Sequence, residues 1–311
     1  MTDILVFYSM LDPFEEWRDA IATHLGTEIR IERADAVSDP SRVRFALVWN
    51  PPTGFFDKFP NLELVINLGA GVDRLVSRAD LPDIPITRLS DPEMGKMMAG
   101  FVLFSVLRHA REIPHFEAAQ RNKQWSYRHP RSASDINVTV LGLGELGGLA
   151  ATEIARQGFR THGWATRPRD LPGVEVHYEN AALHDLLANA DIVVCMLPLT
   201  PATSKCLDAA AFAAMKPGAA FVNVSRGEVV EERALVAALQ SGKLSGATLD
   251  VFASEPLPPE HALWTLPGVL ITPHLASVAL PKSAAPQIAF NINAVRSGAP
   301  LANVVSKLRG Y

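Results

Sequence analysis

The sequence predicts an α/β protein made of two doubly wound domains with parallel sheets. The chain has 311 residues, which is too long for one typical domain and suggests two. Short apolar runs alternate with helix-like segments from end to end, the pattern of parallel sheets covered by helices. A long helical pattern over residues 94–111 is a plausible connection between the two domains.

The first part of the chain carries four candidate strands and one clear amphipathic helix. The helix spans residues 14–24, and proline-rich loops follow at 50–52 and 81–85. The predicted strands are residues 4–7, 28–31, 45–48 and 64–67.

The second part repeats the alternation of strand and helix from residue 138 onward. A last helical segment, residues 282–297, could return to the first part. The predicted strands are residues 138–141, 160–164, 192–197, 220–223, 246–249 and 269–271. The predicted helices are residues 149–157, 181–188, 208–215 and 231–241.

Charge and cysteine usage exclude several classes of function. A net charge of −4 gives no electrostatic reason to expect nucleic acid or an acidic membrane as a partner. Cys195 and Cys206 are predicted to be buried small side chains in a reducing compartment, rather than a disulfide. No cysteine or histidine spacing suggests a zinc site, so no metal is predicted.

The N-terminal residues and the longest apolar run point to the cytoplasm. The first residues contain an early acid and no basic region, and they predict a strand rather than a signal peptide. The apolar run at residues 99–107 is far too short to span a membrane.

A glycine-rich segment between a strand and a helix predicts a dinucleotide site. Residues 138–147 read Val-Thr-Val-Leu-Gly-Leu-Gly-Glu-Leu-Gly, which gives the G-x-G-x-x-G spacing of a Rossmann domain. A pyrophosphate would lie on the helix N-terminus, where unpaired N–H groups favour an anion. The alternative is a glycine-rich turn that binds nothing. Cofactor contacts are predicted at Gly142, Gly144, Glu145, Leu146, Gly147 and Pro198.

The residues after the next strand favour NADP(H) over NAD(H). An NAD site carries an acid about 20 residues after the glycines, whereas this chain has Ala165 at that place. Thr166, Arg167 and Arg169 could bind a 2′-phosphate by charge-assisted hydrogen bonds. Alternatively, both arginines are solvated surface residues, and NAD(H) remains the other candidate.

Several motifs occur in order along the chain, namely the glycine fingerprint, residues 67–73, 226–227, 250–257, 273–274 and the terminal 309–311. Together they make the chain resemble the D-2-hydroxyacid dehydrogenase family, and in particular its glyoxylate/hydroxypyruvate reductase branch. The resemblance implies a Rossmann domain at residues 99–280, inserted into a flavodoxin-like substrate domain at 1–98 and 281–311. It also implies an NADPH-dependent reduction of small 2-keto acids to D-2-hydroxy acids, and a homodimer.

The resemblance assigns three residues to catalysis, and each suits its role chemically. Arg226 would hold the carboxylate and the neighbouring carbonyl of a 2-keto acid, because a planar guanidinium can bind both. His274 would donate the proton, since a histidine titrates near neutral pH. Glu255 would orient the imidazole and favour its protonated form.

Further residues are expected around the substrate. Backbone N–H groups of Ala70 and Gly71 would bind the substrate carboxylate, and Asp250 would lie near the nicotinamide. Trp49 could line the pocket or simply pack under its loop. Leu280 precedes Pro281 where the branch tends to have an arginine, which leaves bulkier or more apolar 2-keto acids open as substrates.

Other functions remain open at this stage. Corepressors of the same family keep the fold and the triad while acting through protein contacts, so a cofactor-sensing binding protein is one alternative. An NAD-dependent D-2-hydroxyacid or phosphoglycerate dehydrogenase is another.

Overall fold

The computed structural model describes residues 2–306, without the side chains of residues 180 and 181. The terminal motif at residues 309–311 lies outside the described residues. The chain forms two compact units, the first of residues 1–94 and 278–311, the second of residues 95–277. These divisions fall a few residues before the boundaries expected from the sequence.

The strands and helices alternate along both units. The strands are β1 (Asp3–Tyr8), β2 (Ile29–Arg33), β3 (Val43–Val48), β4 (Leu64–Asn67), β5 (Ile86–Arg88), β6 (Asn137–Leu141), β7 (Arg160–Trp164), β8 (Val174–His177), β9 (Ile192–Cys195), β10 (Ala219–Asn223), β11 (Leu244–Leu249) and β12 (Val269–Ile271). The α-helices are α1 (Phe14–Leu25), α2 (Asp73–Val76), α3 (Pro92–Ala110), α4 (Ile113–Arg121), α5 (Glu145–Arg156), α6 (Asn180–Asn189), α7 (Ala209–Ala214), α8 (Glu232–Gln240) and α9 (Pro281–Ser297).

The first unit contains a five-stranded parallel sheet in the order β2-β1-β3-β4-β5. This is the flavodoxin-like order. Alternate residues of β1 enter two separate cores, Leu5 and Phe7 on one face and Ile4 and Val6 on the other. Burial on both faces explains why these strands are continuous apolar runs. Helix α9 returns to this unit and packs against α1.

The second unit contains a seven-stranded parallel sheet in the order β12-β11-β10-β9-β6-β7-β8. Counted from β6, this is the Rossmann order with one added edge strand. The strand order reverses between β6 and β9, and ligands of such sheets bind beside the carboxyl ends of the strands at this point. Both sheets confirm the predicted fold class.

Strands β5 and β8 and helices α2 and α4 were not predicted from the sequence. Strand β5 is short and directly follows a proline-rich loop, and β8 reads Val-Glu-Val-His on the edge of its sheet. Helix α4 was not predicted because its residues continue the pattern of α3. The two helices separate at Glu112, whose φ of 53° takes the backbone out of the right-handed helix.

The prediction for the two cysteines is half right. Cys195 is buried at the end of β9, and burial raises the pKa of its thiol to about 11. Cys206 is exposed, so its predicted burial is wrong. The neighbouring Leu207 fills the interior instead, because it pairs with Val230 in a short parallel bridge.

No helix within residues 2–306 is long and apolar enough to cross a bilayer.

The end of α3 carries two basic side chains in the second unit, of which Arg108 is buried and His109 is partly buried. Arg108 is 4% exposed and forms an ion pair of 2.8 Å with Glu117. Its neighbour His109 lies 3.1 Å from the hydroxyl of Thr248, measured from Nε2. Burial, reinforced by the charge of Arg108, lowers the pKa of His109 to about 3.

We expect the partly buried His109, with its lowered pKa, to make the protein sensitive to acid. In the unfolded chain its pKa returns to about 6.5, so the unfolded state binds the proton first as the pH falls. Stability is therefore present above pH 6.5 and is lost progressively below it. This residue alone should remove about 2 kcal/mol of the free energy of unfolding between pH 7 and pH 5.

Denaturant titrations at the two pH values test this for His109→Gln, which keeps a polar group near Thr248 and does not titrate. The variant should lose less stability on acidification than the wild type. The exposed His184→Gln serves as the control and should behave as the wild type does. Equal acid losses in all three proteins would contradict the assignment.

Candidate active site

The turn after β6 has the backbone that a dinucleotide fingerprint requires. Gly142 has a φ of 96°, and a Cβ there would lie 2.6 Å from the carbonyl oxygen of Met196. A Cβ on Gly147 would lie 2.0 Å from the carbonyl oxygen of Gly142. Both glycines are therefore required to bring β6, its turn and α5 together.

Gly144, the remaining glycine of the fingerprint, lies beside open space. Gly144 is exposed at the N-cap of α5, and a Cβ on it would meet no atom within 4 Å. The helix begins at Glu145, followed by Leu146, so their backbone N–H groups belong to its first turn. This open helix N-terminus fits a pyrophosphate.

The segment after β7 lies beside this turn. Thr166 and Arg167 are exposed, and Ala165 occupies the end of the strand, where its N–H donates to the carbonyl of His177. Arg169 donates from its guanidinium to the carbonyl oxygen of Leu143, inside the glycine turn. It therefore braces the turn, a contact that the sequence did not reveal.

Pro198 lies in an exposed loop after β9, the strand next to β6 at the switch point. Its carbonyl accepts a hydrogen bond from the hydroxyl of Thr203, which closes the loop.

The three predicted catalytic residues follow three neighbouring strands. Arg226 comes after β10, Glu255 after β11 and His274 after β12. Because β10, β11 and β12 are adjacent and parallel, their carboxyl ends lie along one edge of the sheet.

Glu255 and His274 form a hydrogen-bonded pair. The Nδ1 atom of His274 lies 3.0 Å from Oε2 of Glu255, and the other carboxylate oxygen accepts the N–H of Phe252 at 3.0 Å. Only a protonated Nδ1 can bond to a carboxylate, so the pair fixes the tautomer. Nε2 is then the ring atom that can exchange a proton with a substrate.

Asp250 holds the loop that carries His274. Its side chain is 1% exposed, and one oxygen accepts the hydroxyl of Thr272 at 2.6 Å. The two oxygens also accept the N–H groups of Leu275 and Ala276, each at 2.9 Å. These contacts stabilise the left-handed backbone of His274, whose φ is 55°. Asp250 was expected beside the nicotinamide, and its contacts in the structure are with this loop.

The loop of Arg226 is held from both sides. The buried Asn223 donates to the carbonyl of Arg226 at 3.1 Å and accepts the N–H of Ser225 at 3.1 Å. A Cβ on Gly227 would lie 1.9 Å from the backbone carbon of Phe252. The glycine of the Arg-Gly pair therefore lets this loop contact the segment that leads to Glu255.

The loop after β4 presents two backbone donors in the first unit. Asn67 is 3% exposed and donates to the carbonyls of Gly69 and Gly71 at 2.9 and 3.0 Å. Arg88 donates to the carbonyl of Ala70 at 3.4 Å. A peptide N–H points opposite to its carbonyl, so bonds to the carbonyls of residues 69 and 70 orient the N–H groups of Ala70 and Gly71 away from them. Within residues 2–306, neither N–H has a hydrogen-bond partner.

Trp49 packs against this loop. It follows β3, and a Cβ on Gly69 would lie 2.6 Å from its indole ring. The structure therefore gives Trp49 the packing role that the sequence left as an alternative, while its side chain stays partly exposed.

Sequence reasoning missed the residues that support this machinery. Asn67, Asn223 and Thr272 hold loops in place through the hydrogen bonds described above. The signal available was their position as the last residue of β4, the last residue of β10 and the first residue after β12.

The chain matches the family model for the NAD-binding domain of D-isomer specific 2-hydroxyacid dehydrogenases over residues 103–276. A curated relative, glyoxylate/hydroxypyruvate reductase A of Yersinia enterocolitica, is 33% identical over 99% of both chains. The chain belongs to the D-2-hydroxyacid dehydrogenase family. The resemblance to the reductase branch is also confirmed.

Two solved structures resemble the whole chain. A D-isomer specific 2-hydroxyacid dehydrogenase from Xanthobacter autotrophicus Py2, in complex with NADPH and MES, is 55% identical, with a TM-score of 0.94 and full coverage of both chains. An NADPH-dependent glyoxylate/hydroxypyruvate reductase from Sinorhizobium meliloti, in complex with NADP and sulfate, is 33% identical, with a TM-score of 0.93 and full coverage.

Proposed function

We propose that this family member is an NADPH-dependent reductase of small 2-keto acids, with glyoxylate and hydroxypyruvate as leading substrates and D-2-hydroxy acids as products. The observation that carries the proposal is the 3.0 Å bond between His274 and Glu255 beside the strand that leads to Arg226. This pair suits a proton donor, and the arginine suits an anionic substrate. Relatives named as reductases of these two acids support the choice.

The proposed roles follow from the geometry of each unit. Arg226 binds the substrate carboxylate and carbonyl oxygen, and its charge stabilises the negative charge that develops on that oxygen. His274 donates a proton from Nε2 to the same oxygen, while Glu255 stabilises the imidazolium. In the first unit, the N–H groups of Ala70 and Gly71 are the proposed donors to the carboxylate. Bound NADPH supplies the hydride that reduces C2.

The cofactor would be held by the glycine turn and the segment after β7. The N–H groups at the start of α5 suit the pyrophosphate, with Pro198 beside the switch point, and the exposed Thr166 and Arg167 suit a 2′-phosphate. Arg169 contributes by bracing Leu143. NAD(H) lacks the 2′-phosphate and would lose these contacts, so it is the weaker cofactor.

Purified protein should oxidise NADPH only when a 2-keto acid is added, and should do so with glyoxylate or hydroxypyruvate. A cofactor-sensing binding protein would bind NADPH without turnover. A dehydrogenase of the NAD-dependent class would prefer NADH, so parallel assays with both cofactors distinguish the three functions. Absence of keto-acid-dependent oxidation across a panel of 2-keto acids would overturn the proposal.

Replacing Arg167 with alanine should lower kcat/KM for NADPH about 10- to 100-fold, the value of one or two hydrogen bonds to a charged group. The constant for NADH should change much less, because NADH lacks the 2′-phosphate that this arginine is proposed to bind. Arg156→Ala is the matched control, since this side chain is 72% exposed on the neighbouring α5. A similar loss with NADH, or none with NADPH, would contradict the assignment.

We further propose a cytoplasmic homodimer. Several large apolar side chains of the second unit are exposed on and after α3, including Phe104 at 50% and Trp125 at 102%. Exposed apolar side chains mark a protein interface when they form a contiguous patch, and we propose that these residues form one. Light scattering of the purified protein and fractionation of cells test the two parts, and a monomeric mass would reject the dimer.

A further inference from the structure

A cluster of two histidines and one glutamate lies on the outer strands of the second unit, apart from the strand ends described above. In the pairing of β7 and β8, His162 lies opposite Glu175 and Trp164 lies opposite His177. Side chains alternate along a strand, so residues 162, 175 and 177 share one face of the sheet. These three residues belong neither to the glycine turn after β6 nor to the pair of His274 and Glu255.

The distances within the cluster suit a shared metal ion. The Nδ1 atom of His162 is 3.4 Å from Oε2 of Glu175, and the Nε2 atom of His177 is 3.4 Å from Oε1. One such atom from each residue lies within 4.8 Å of the others. Tetrahedral zinc with bonds of about 2.0–2.2 Å separates its ligand atoms by about 3.3–3.6 Å. Each nitrogen already has this separation from a different oxygen of Glu175, so rotation of the three side chains would place one oxygen and both nitrogens around a single ion.

The ring nitrogens of His162 and His177 that face Glu175 have no other role in the described structure. Nδ1 of His162 and Nε2 of His177 are buried, and neither has a hydrogen-bond partner within residues 2–306. Buried polar atoms are normally satisfied, and an exception calls for an explanation such as an ion.

We propose that His162, Glu175 and His177 bind one divalent transition-metal ion, Zn²⁺ being the best match, with water in the fourth position. Two imidazoles and a carboxylate are zinc ligands, whereas Ca²⁺ and Mg²⁺ prefer oxygen alone. Glu175 is 67% exposed, which leaves the ion a path from solvent. The bound ion ties the edge strand β8 to β7 and so stabilises the second unit.

The sequence predicted no metal, and this proposal departs from that prediction. Residues 162 and 177 are far apart in sequence and match no ligand spacing, and only the parallel pairing of β7 with the unpredicted β8 brings them together.

Calorimetric titration of untagged, EDTA-treated protein with ZnCl₂ tests the proposal. The wild type should bind one equivalent and gain a few degrees in Tm, and Co²⁺ should give the visible absorption of a tetrahedral site. His162→Gln combined with His177→Gln should abolish both effects, while His184→Gln, an exposed histidine on α6, should leave them intact.

A second variant keeps the test independent of folding. Glu175→Gln changes an exposed side chain and should weaken Zn²⁺ binding at least about tenfold, because a neutral amide is a poorer ligand than a carboxylate. Metal-free variants should retain the Tm of the metal-free wild type. The proposal would be overturned if the wild type did not bind Zn²⁺. It would also be overturned if the double variant and Glu175→Gln both bound Zn²⁺ as tightly as the wild type.

Discussion

Arg226→Ala should lower kcat/KM for a 2-keto acid by about 10²–10³-fold or more, with a raised KM and a reduced kcat. The guanidinium is the proposed partner of both the carboxylate and the carbonyl oxygen. Its loss therefore removes ground-state binding and the stabilisation of charge that develops during reduction. Steady-state rates with varied keto acid at saturating NADPH measure both effects.

The variant should still fold, because backbone contacts hold the loop in addition to the bond of 2.7 Å from the guanidinium to the carbonyl of Ser225. Asn223 binds the backbone carbonyl of residue 226, and Gly227 provides the close contact with Phe252. Arg226→Lys is the matched control, since it keeps the charge but cannot bind two oxygens in one plane, and it should recover only part of the activity. Near-normal activity of Arg226→Ala would reject the proposed role.

Replacing His274 should remove the proton donor and lower kcat by about 10²–10⁴-fold. Asparagine is the best replacement, because His274 has a φ of 55° and asparagine tolerates this left-handed conformation. In the wild type, the rate of reduction should fall as the pH rises, because the reaction consumes a proton. A flat profile from about pH 6 to pH 9, with a deuterium isotope effect showing that chemistry limits the rate, would contradict the assignment.

Glu255→Gln separates proton donation from simple packing. The amide oxygen of the variant would accept the N–H of Phe252, as Oε1 does now, so its NH₂ group would face Nδ1 of His274. A donor facing Nδ1 disfavours the imidazolium, which moves the decline of the pH profile to lower pH. If Glu255 were only a packing residue, the variant would lose activity equally at all pH values.

Whether a feature of the fold or of the site could be predicted from the sequence depends on how far apart in the chain its interacting residues lie. The glycine fingerprint could be recognised from its spacing alone, although only Gly147 faces a residue nearby in sequence, Gly142, whereas Gly142 faces the carbonyl of the distant Met196. The strands buried on both faces could also be predicted, because burial on both faces makes their sequences continuously apolar. Strand β8 was missed, since an edge strand with polar alternate positions resembles a loop.

Contacts between distant segments could not be predicted. Asp250 reaches across to residues 272–276, and Arg169 reaches back to Leu143, and neither bond leaves a local pattern in the sequence. The same holds for His162 and His177, which meet only through the pairing of two strands. A side chain's type limits the chemistry available to it, but its partners depend on the tertiary fold.

Product analysis after reduction of hydroxypyruvate with NADPH deuterated at the transferred position of C4 tests the central proposal most directly. The expected product is D-glycerate carrying one deuterium at C2, formed much faster than with equally labelled NADH. L-glycerate, a product without deuterium at C2, or no product with hydroxypyruvate and the other 2-keto acids would contradict it.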